Sequence, residues 1–294
     1  MTTLDRQPQI RAFDGFEASS VTLISPPDAP VNGAMVGPPG FTATAHRLVD
    51  QELSLHSLTD HTVVLVVEGR LDIGGEVLGS RDSVLMRPGE AGAVRGTGTA
   101  VCLAYRERDP NGVWATAGRR RRGVARHRRQ KPLRRRFPLK FARRILPVLS
   151  PLDLYPVVGP TRFGPGRFAV RGPQQLMVVQ ATTPPGTGPA LHIHQQSVEM
   201  FIVLQGSYRL FWGEHGEHEA HLDALGAAVF PTGTNRAFEA TGEGDDWILP
   251  VVVGANDERD DIRWLPPVAD ALRAAGPPWL AELVLRSGRV RIRR

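Results

Sequence analysis

The sequence predicts an all-β fold built from two copies of one arrangement. Three observations carry this. Of the 294 residues, 41% are hydrophobic and 22% charged, with 31 Gly and 25 Pro; that suits a soluble, turn-rich chain of many short strands. Apolar runs rich in Val, Ile, Leu and Phe recur between Gly and Pro, as antiparallel strands do. The same layout also occurs twice, which points to an internal duplication.

Taken in order, residues 1–30 form an N-terminal arm with no apolar leader segment, so the expectation is against secretion by a standard signal. The first copy, within 31–108, contains "HTVVLVVEGRLDIGGEVLGSRDSVLMRPGE" (61–90) and "GTGTAVCLAY" (96–105). Each run ends in Gly or Pro, and Cys102 falls inside an apolar strand pattern, reading as a core thiol rather than a nucleophile. As the sole cysteine it cannot close an internal disulfide, so a reducing, cytoplasmic location is expected. Residues 109–160 form a linker holding "RRRRGVARHRRQKPLRRRFPLKFARR" (119–144), with 14 Lys/Arg and no acid. Outside it 22 basic residues face 30 acidic ones, so the net charge of +6 belongs to this insertion. The second copy, within 161–260, repeats the layout in "VEMFIVLQGSYRLFWGEHGEHEAHLDALGAAVFPTGT" (198–234) and "DDWILPVVVG" (245–254). Finally, 261–294 carries "PPVADALRAAGPPWLAELVLRSG" (266–288), two short helices each opened by prolines and closed by Gly, with a basic tail. No run of 18 apolar residues occurs, so no transmembrane helix is expected.

The chemistry concentrates in "GTGPALHIHQQSVEMFIVLQG" (186–206). Gly186, His192, His194, Glu199 and Gly206 stand at the spacing G-x5-H-x-H-x4-E-x6-G. On these residues the second copy resembles the cupins, and the duplication resembles a two-domain bicupin. The family's second motif, G-x5-P-x-G-x2-H-x3-N, is matched in part by "GAAVFPTGTNRAFEA". Gly226 lies one residue too close, Pro231 and Gly233 fit, Arg236 stands in the histidine's place and Ala240 in the asparagine's. The resemblance implies two double-stranded β-helix (jelly-roll) barrels, the first of them degenerate. Aligning Gly69 with Gly206 places Leu55, Ser57 and Thr62 at the ligand positions, and aligning Pro88 with Pro231 puts Ala93 opposite Arg236. None of these is a good metal donor.

On a strand His192 and His194 share a side. Glu199, at the wrong parity, must open the next strand after a turn over "QQS", so that Glu199, Phe201 and Val203 face inward and Met200, Ile202 and Leu204 outward. Two imidazoles and a carboxylate suit a divalent transition metal. Resemblance to cupin oxygenases puts Fe(II) first, with Mn, Ni, Co, Cu or Zn as alternatives. Arg236 has no lone pair to offer a metal, but its planar fork suits a carboxylate. One reading has it orient the acidic end of a small-molecule substrate beside a three-ligand metal; the plainer reading has it pair with Glu199 in an empty barrel. Gln196, Phe201 and Phe238 are candidate pocket walls. His215, His218 and His221 read as a solvated hairpin.

Two function classes follow. The first is a metal-dependent cupin enzyme performing an oxidation or dioxygenation, with Glu199 and Arg236 as catalytic candidates; the lyase, decarboxylase and isomerase chemistries of the fold stay open. The second is a non-catalytic binding or scaffold protein. The basic insertion reads first as a solvated linker; contact with nucleic acid or, through "PLKFARRIL" (138–146), an anionic membrane are its alternatives. A homodimer follows only by analogy with cupins.

Overall fold

In this computed structural model, residues 7–12, 20–56, 59–107, 123–136, 144–160, 167–254, 261–287 and 290–293 are described. The N-terminal half contributes β1 (Gln9–Arg11), β2 (Ser20–Ser25), β3 (Met35–Val36), β4 (Phe41–His56), β5 (His61–Ile73), β6 (Glu76–Gly79), β7 (Ser83–Met86), β8 (Ala91–Tyr105) and β9 (Gly123–Ala125). After the short helix α1 (Leu146–Leu149) come β10 (Asp153–Gly159), β11 (Val170–Arg171) and β12 (Leu176–Thr183). The two histidines form β13 (His192–His194), followed by β14 (Val198–Gln205), β15 (Tyr208–Trp212), β16 (His218–Leu222), β17 (Ala227–Phe230), β18 (Asn235–Ala240), β19 (Asp246–Val253) and β20 (Ile262–Trp264). Helices α2 (Pro266–Ala274) and α3 (Pro278–Arg286) close the chain, each with proline in its first turn, as expected.

The C-terminal half is a two-sheet sandwich. One sheet runs β1-β17-β14-β19-β12-β10-β11 and the other β16-β15-β18-β13-β20. The N-terminal half is a single sheet, β3-β2-β4-β8-β5-β7-β9, with β6 on β5. Its strands β4, β5 and β8 span 16, 13 and 15 residues, and register shifts within them let one long ribbon bend over its own core, as bulges do. Leu48, Val64, Val66, Leu71, Ile73 and Cys102 fill that interior. Burial pushes the Cys102 thiol up to about 12, in keeping with a core residue.

The inward and outward sets on β14 fall where alternation puts them. Phe201 and Val203 pack inside the C-terminal sandwich. Met200, Ile202 and Leu204 join Val63, Leu65, Val101 and Leu103 of the N-terminal half in one shared cluster. The two halves therefore meet back to back through apolar sheet faces.

Strands from the arm and the linker also join the halves. Strand β1 lies within the arm yet pairs with β17 of the far half. Strand β9 lies within the arginine-rich segment and pairs with β7. Arg126 bonds Glu76 and Asp82 at 3.0 and 3.2 Å, and Arg134 pairs with Asp153 on β10. The described part of the basic stretch is thus tied to both halves. Residues 119–122 and 137–143 of that stretch lie outside the described residues, as does Ser57 of the first copy.

Candidate metal centre

His192 and His194 reach the sandwich interior because β13 is hydrogen-bonded between β18 and β20. Glu199 arrives from the opposite sheet, where β14 opens after the exposed turn at Gln195 and Gln196. All three are buried. One donor atom from each lies within 4.8 Å of the others, and they form the only such group of His, Cys, Asp and Glu found among the described residues.

Hydrogen bonds decide which ring nitrogen faces the centre. His192 Nδ1 donates to the carbonyl of Ala190 at 2.9 Å, and His194 Nδ1 donates to the Asp261 carboxylate at 2.5 Å. A carbonyl and a carboxylate only accept, so both Nδ1 atoms carry a proton and Nε2 is the nitrogen each ring turns toward the centre. Those Nε2 atoms lie 3.7 and 3.5 Å from Glu199 Oε2. Donors about 2.1 Å from one metal lie roughly 3.0–3.4 Å apart, so the set is a few tenths of an ångström wide of a closed site. Burial, with the Arg236 charge, pulls the His194 pKa down to about 4, leaving the ring neutral at pH 7. Burial works against the Glu199 carboxylate, but in the acid range where it would take up a proton His194 is itself charged, and that charge with Arg236 outweighs burial and holds the Glu199 pKa below the ordinary range.

Arg236 is fully buried and sits directly across from His192 in the β13–β18 register. Its Nε donates to Glu199 Oε2 at 2.8 Å and its Nη1 to the carbonyl of Thr234 at 2.9 Å. Its Nη2 is buried with no hydrogen-bond partner among the described residues. The register extends this row in both directions: Trp212 lies opposite Arg236, and Trp264 opposite His192. Residues directly opposed in antiparallel strands share a face, and the Trp264 ring packs 5.2 Å from that of His192. Neither tryptophan stood out in the sequence.

Phe201 and Phe238, the candidate walls, stack edge-on at 5.2 Å within the packed interior. The side chain of Gln196, the third candidate wall, is exposed. Its backbone N–H donates instead to Asp261 Oδ1 at 2.6 Å. Asp261 is the buried group that sequence reasoning passed over. Besides His194 and Gln196 it accepts from the backbone N–H of Ser197 at 3.2 Å and from the Ser197 hydroxyl. Because Ser197 and Asp261 both meet His194 at Nδ1, the trio is not a serine-nucleophile relay, which needs the two on opposite ring nitrogens. His215, His218 and His221 are exposed on the hairpin leading into β16 and on that strand.

The donor set fits a cation. With His194 neutral, two buried carboxylates, Glu199 and Asp261, each held below its ordinary pKa, face the one buried guanidinium of Arg236. Burying carboxylate charge without a matching cation is costly.

Solved structures share this architecture. An oxalate decarboxylase from Lactobacillus farciminis, in a formate complex, is 11% identical and superposes with a TM-score of 0.52 over 84% of each chain. A variant of salicylate 1,2-dioxygenase from Pseudoaminobacter salicylatoxidans, in complex with gentisate, is 12% identical with a TM-score of 0.52 over 84% of this chain and 82% of its own. The chain has the bicupin fold. Tomato vicilin shares it too, at 13% identity and a TM-score of 0.52 over 76% of this chain and 77% of its own. No protein-family model matches the sequence, and no curated protein does. A bicupin scaffold common to a decarboxylase, a dioxygenase and a vicilin selects no chemistry by itself. No helix among the described residues is long and apolar enough to cross a membrane.

Proposed function

We propose that the C-terminal cupin half is a metal-dependent enzyme acting on a small organic acid, with oxidation by Fe(II) and dioxygen as its leading chemistry. The observation that supports this most is the donor arrangement: two imidazoles locked with Nε2 toward one ionised, buried carboxylate. His192, His194 and Glu199 would hold the metal. Such a centre supplies open coordination positions and, with iron, a redox couple for dioxygen.

The remaining roles belong to the chain. A dication held there would offset the excess of carboxylate over guanidinium charge and leave room for the carboxylate of a substrate. Arg236 meets that carboxylate with Nη2, the one guanidinium nitrogen with no acceptor, while Nε holds Glu199 in place. Charge-assisted bonds of this kind are strong when buried. Phe201, Phe230 and Phe238 fill the interior behind the donors and keep water from that side, so the substrate approaches from the face flanked by Trp212 and Trp264.

A second reading rests on the 2.8 Å Arg236–Glu199 pair: the guanidinium neutralises the carboxylate, and the protein serves as a metal-free binding or scaffold module. A carboxylate has about four acceptor sites, so the pair leaves Glu199 free to ligate as well. Metal analysis of protein purified without an affinity tag separates the two readings. About one equivalent per chain is expected in the unaltered protein, lost in His192→Ala and retained in His218→Ala, which controls for the exposed histidine tract. Oxygen uptake by iron-loaded protein over a panel of small carboxylates should disappear in Glu199→Ala. Equal metal content in the unaltered protein and His192→Ala would end the enzyme reading.

A further inference from the structure

We infer that Asp261 is the positioning residue of this centre: it fixes the His194 tautomer that can bind a metal, and so makes the segment after the second cupin motif part of the site. This rests on the metal reading above and adds a residue that the motif does not contain.

Asp261 is fully buried, 67 residues along the chain from His194. It directly precedes β20, whose pairing with β13 brings it against the histidines. One oxygen, Oδ1, accepts the backbone N–H groups of Gln196 and Ser197 and so pins the turn between the ligand strands. The other, Oδ2, faces His194 Nδ1 and the Ser197 hydroxyl. A carboxylate cannot donate, so the opposite tautomer would set a ring lone pair against an oxygen lone pair. Ser197 cannot relieve that clash, because its own proton is given to Asp261. The bond therefore holds the proton on Nδ1, aims the Nε2 lone pair at Glu199 and raises the basicity of the ring. Carboxylates behind metal-binding histidines act in this way, and losing one typically lowers metal affinity 10–100-fold. Among the described residues His192 Nδ1 meets the carbonyl of Ala190 and no carboxylate, so the two ligands are held unequally.

Asp261→Asn separates positioning from mere structural support. Its remaining oxygen can keep both turn amides, while its NH2 group presents donors where Oδ2 stood. His194 must then accept at Nδ1, moving its proton to Nε2 and closing its lone pair to metal. The expected result is a variant with a melting temperature near that of the unaltered protein, with metal affinity reduced 10–100-fold. In Cu(II)-loaded samples, electron paramagnetic resonance should report two coordinated imidazoles in the unaltered protein and one in the variant. Metal binding by folded Asp261→Asn at unchanged affinity, with both imidazoles coordinated, would overturn the role of Asp261 while leaving the metal site intact. An unaltered protein that binds no metal would instead remove the site and this inference together. Should Asp261→Asn fail to fold, the test moves to the metal-free unaltered protein. Nitrogen-15 NMR of its histidines, with His194 assigned through His194→Gln, should show the Nδ1–H tautomer; an Nε2–H tautomer refutes the inference whatever the metal does.

Discussion

Arg236 departs from the motif at the position where the fold most directly offers a fourth ligand. It faces His192 across one strand pair, and its side chain already reaches Glu199. An imidazole there would be in range of the same ion. Arg236→His is therefore expected to tighten metal binding roughly tenfold or more, about 1.4 kcal/mol, and to abolish the affinity for carboxylate ligands. Chelator competition and ligand titration measure the two effects. Unchanged metal affinity would show that position 236 does not face the ion. His192, His194, Glu199 and Arg236 were legible because their spacing is local and strand parity fixes their direction. Asp261, Trp212 and Trp264 were not. Asp261 contacts His194 across 67 residues, and the tryptophans join the row only through register. The one available hint was the last acid of "DERDD" (257–261), directly before "IRWL", and nothing in such a charged cluster singles out one member. Gln196 sits exposed in the turn between β13 and β14, where side-chain direction does not follow strand alternation.

At the scale of elements, the strands were read as nearly continuous apolar runs, and the structure supplies the reason. All of β19 and the middle six residues of β14 are buried, since one face lines the sandwich and the other packs on the partner half. Strands covered on both faces lose the polar half of their alternation. Strands β1 and β9 had no such signature; each is three residues long and is defined by the edge it joins. Gly206, which closes the first motif, shows how a motif residue can serve the element instead of the chemistry. It links β14 to β15 with φ of +80°, and a Cβ there would fall 1.9 Å from Asp246 Oδ1. That carboxylate in turn caps the loop by accepting from the backbone N–H of Gly242 and of Ser207. Gly206→Ala is expected to cost at least about 2 kcal/mol, from the left-handed backbone and the displaced carboxylate. The urea midpoint checks this; a shift under about 0.5 kcal/mol would mean that the turn relaxes freely.

Across the whole molecule, the back-to-back halves share their apolar core and also a few polar contacts. Gln180 donates to the carbonyl of Arg81 at 2.9 Å, and the Arg81 guanidinium lies 4.9 Å over the Trp247 ring. His61 opens β5 on the same side as Val63 and Leu65, the residues that form the shared core. It is buried, and its Nδ1 finds no partner among the described residues. Burial, reinforced by the Arg87 charge and only partly offset by Asp60, pulls its pKa down to about 4, whereas in the unfolded chain it titrates near 6.5. Between those values the unfolded chain takes up the proton and the folded one does not, so stability rises with pH. The His61 contribution is complete above about pH 6.5 and is lost as the solution is acidified toward pH 4, by at most about 3 kcal/mol. His194, pulled down in the same direction, adds to this acid sensitivity when no metal is bound. Urea unfolding between pH 7.5 and 4.5 should give a stability slope that is visibly shallower in His61→Phe than in the unaltered protein. Comparing slopes avoids any packing cost of the larger ring, which is the same at every pH. Parallel slopes would mean that His61 takes up its proton in the folded state as readily as in the unfolded one, and that the seam between the halves opens to water at that strand end.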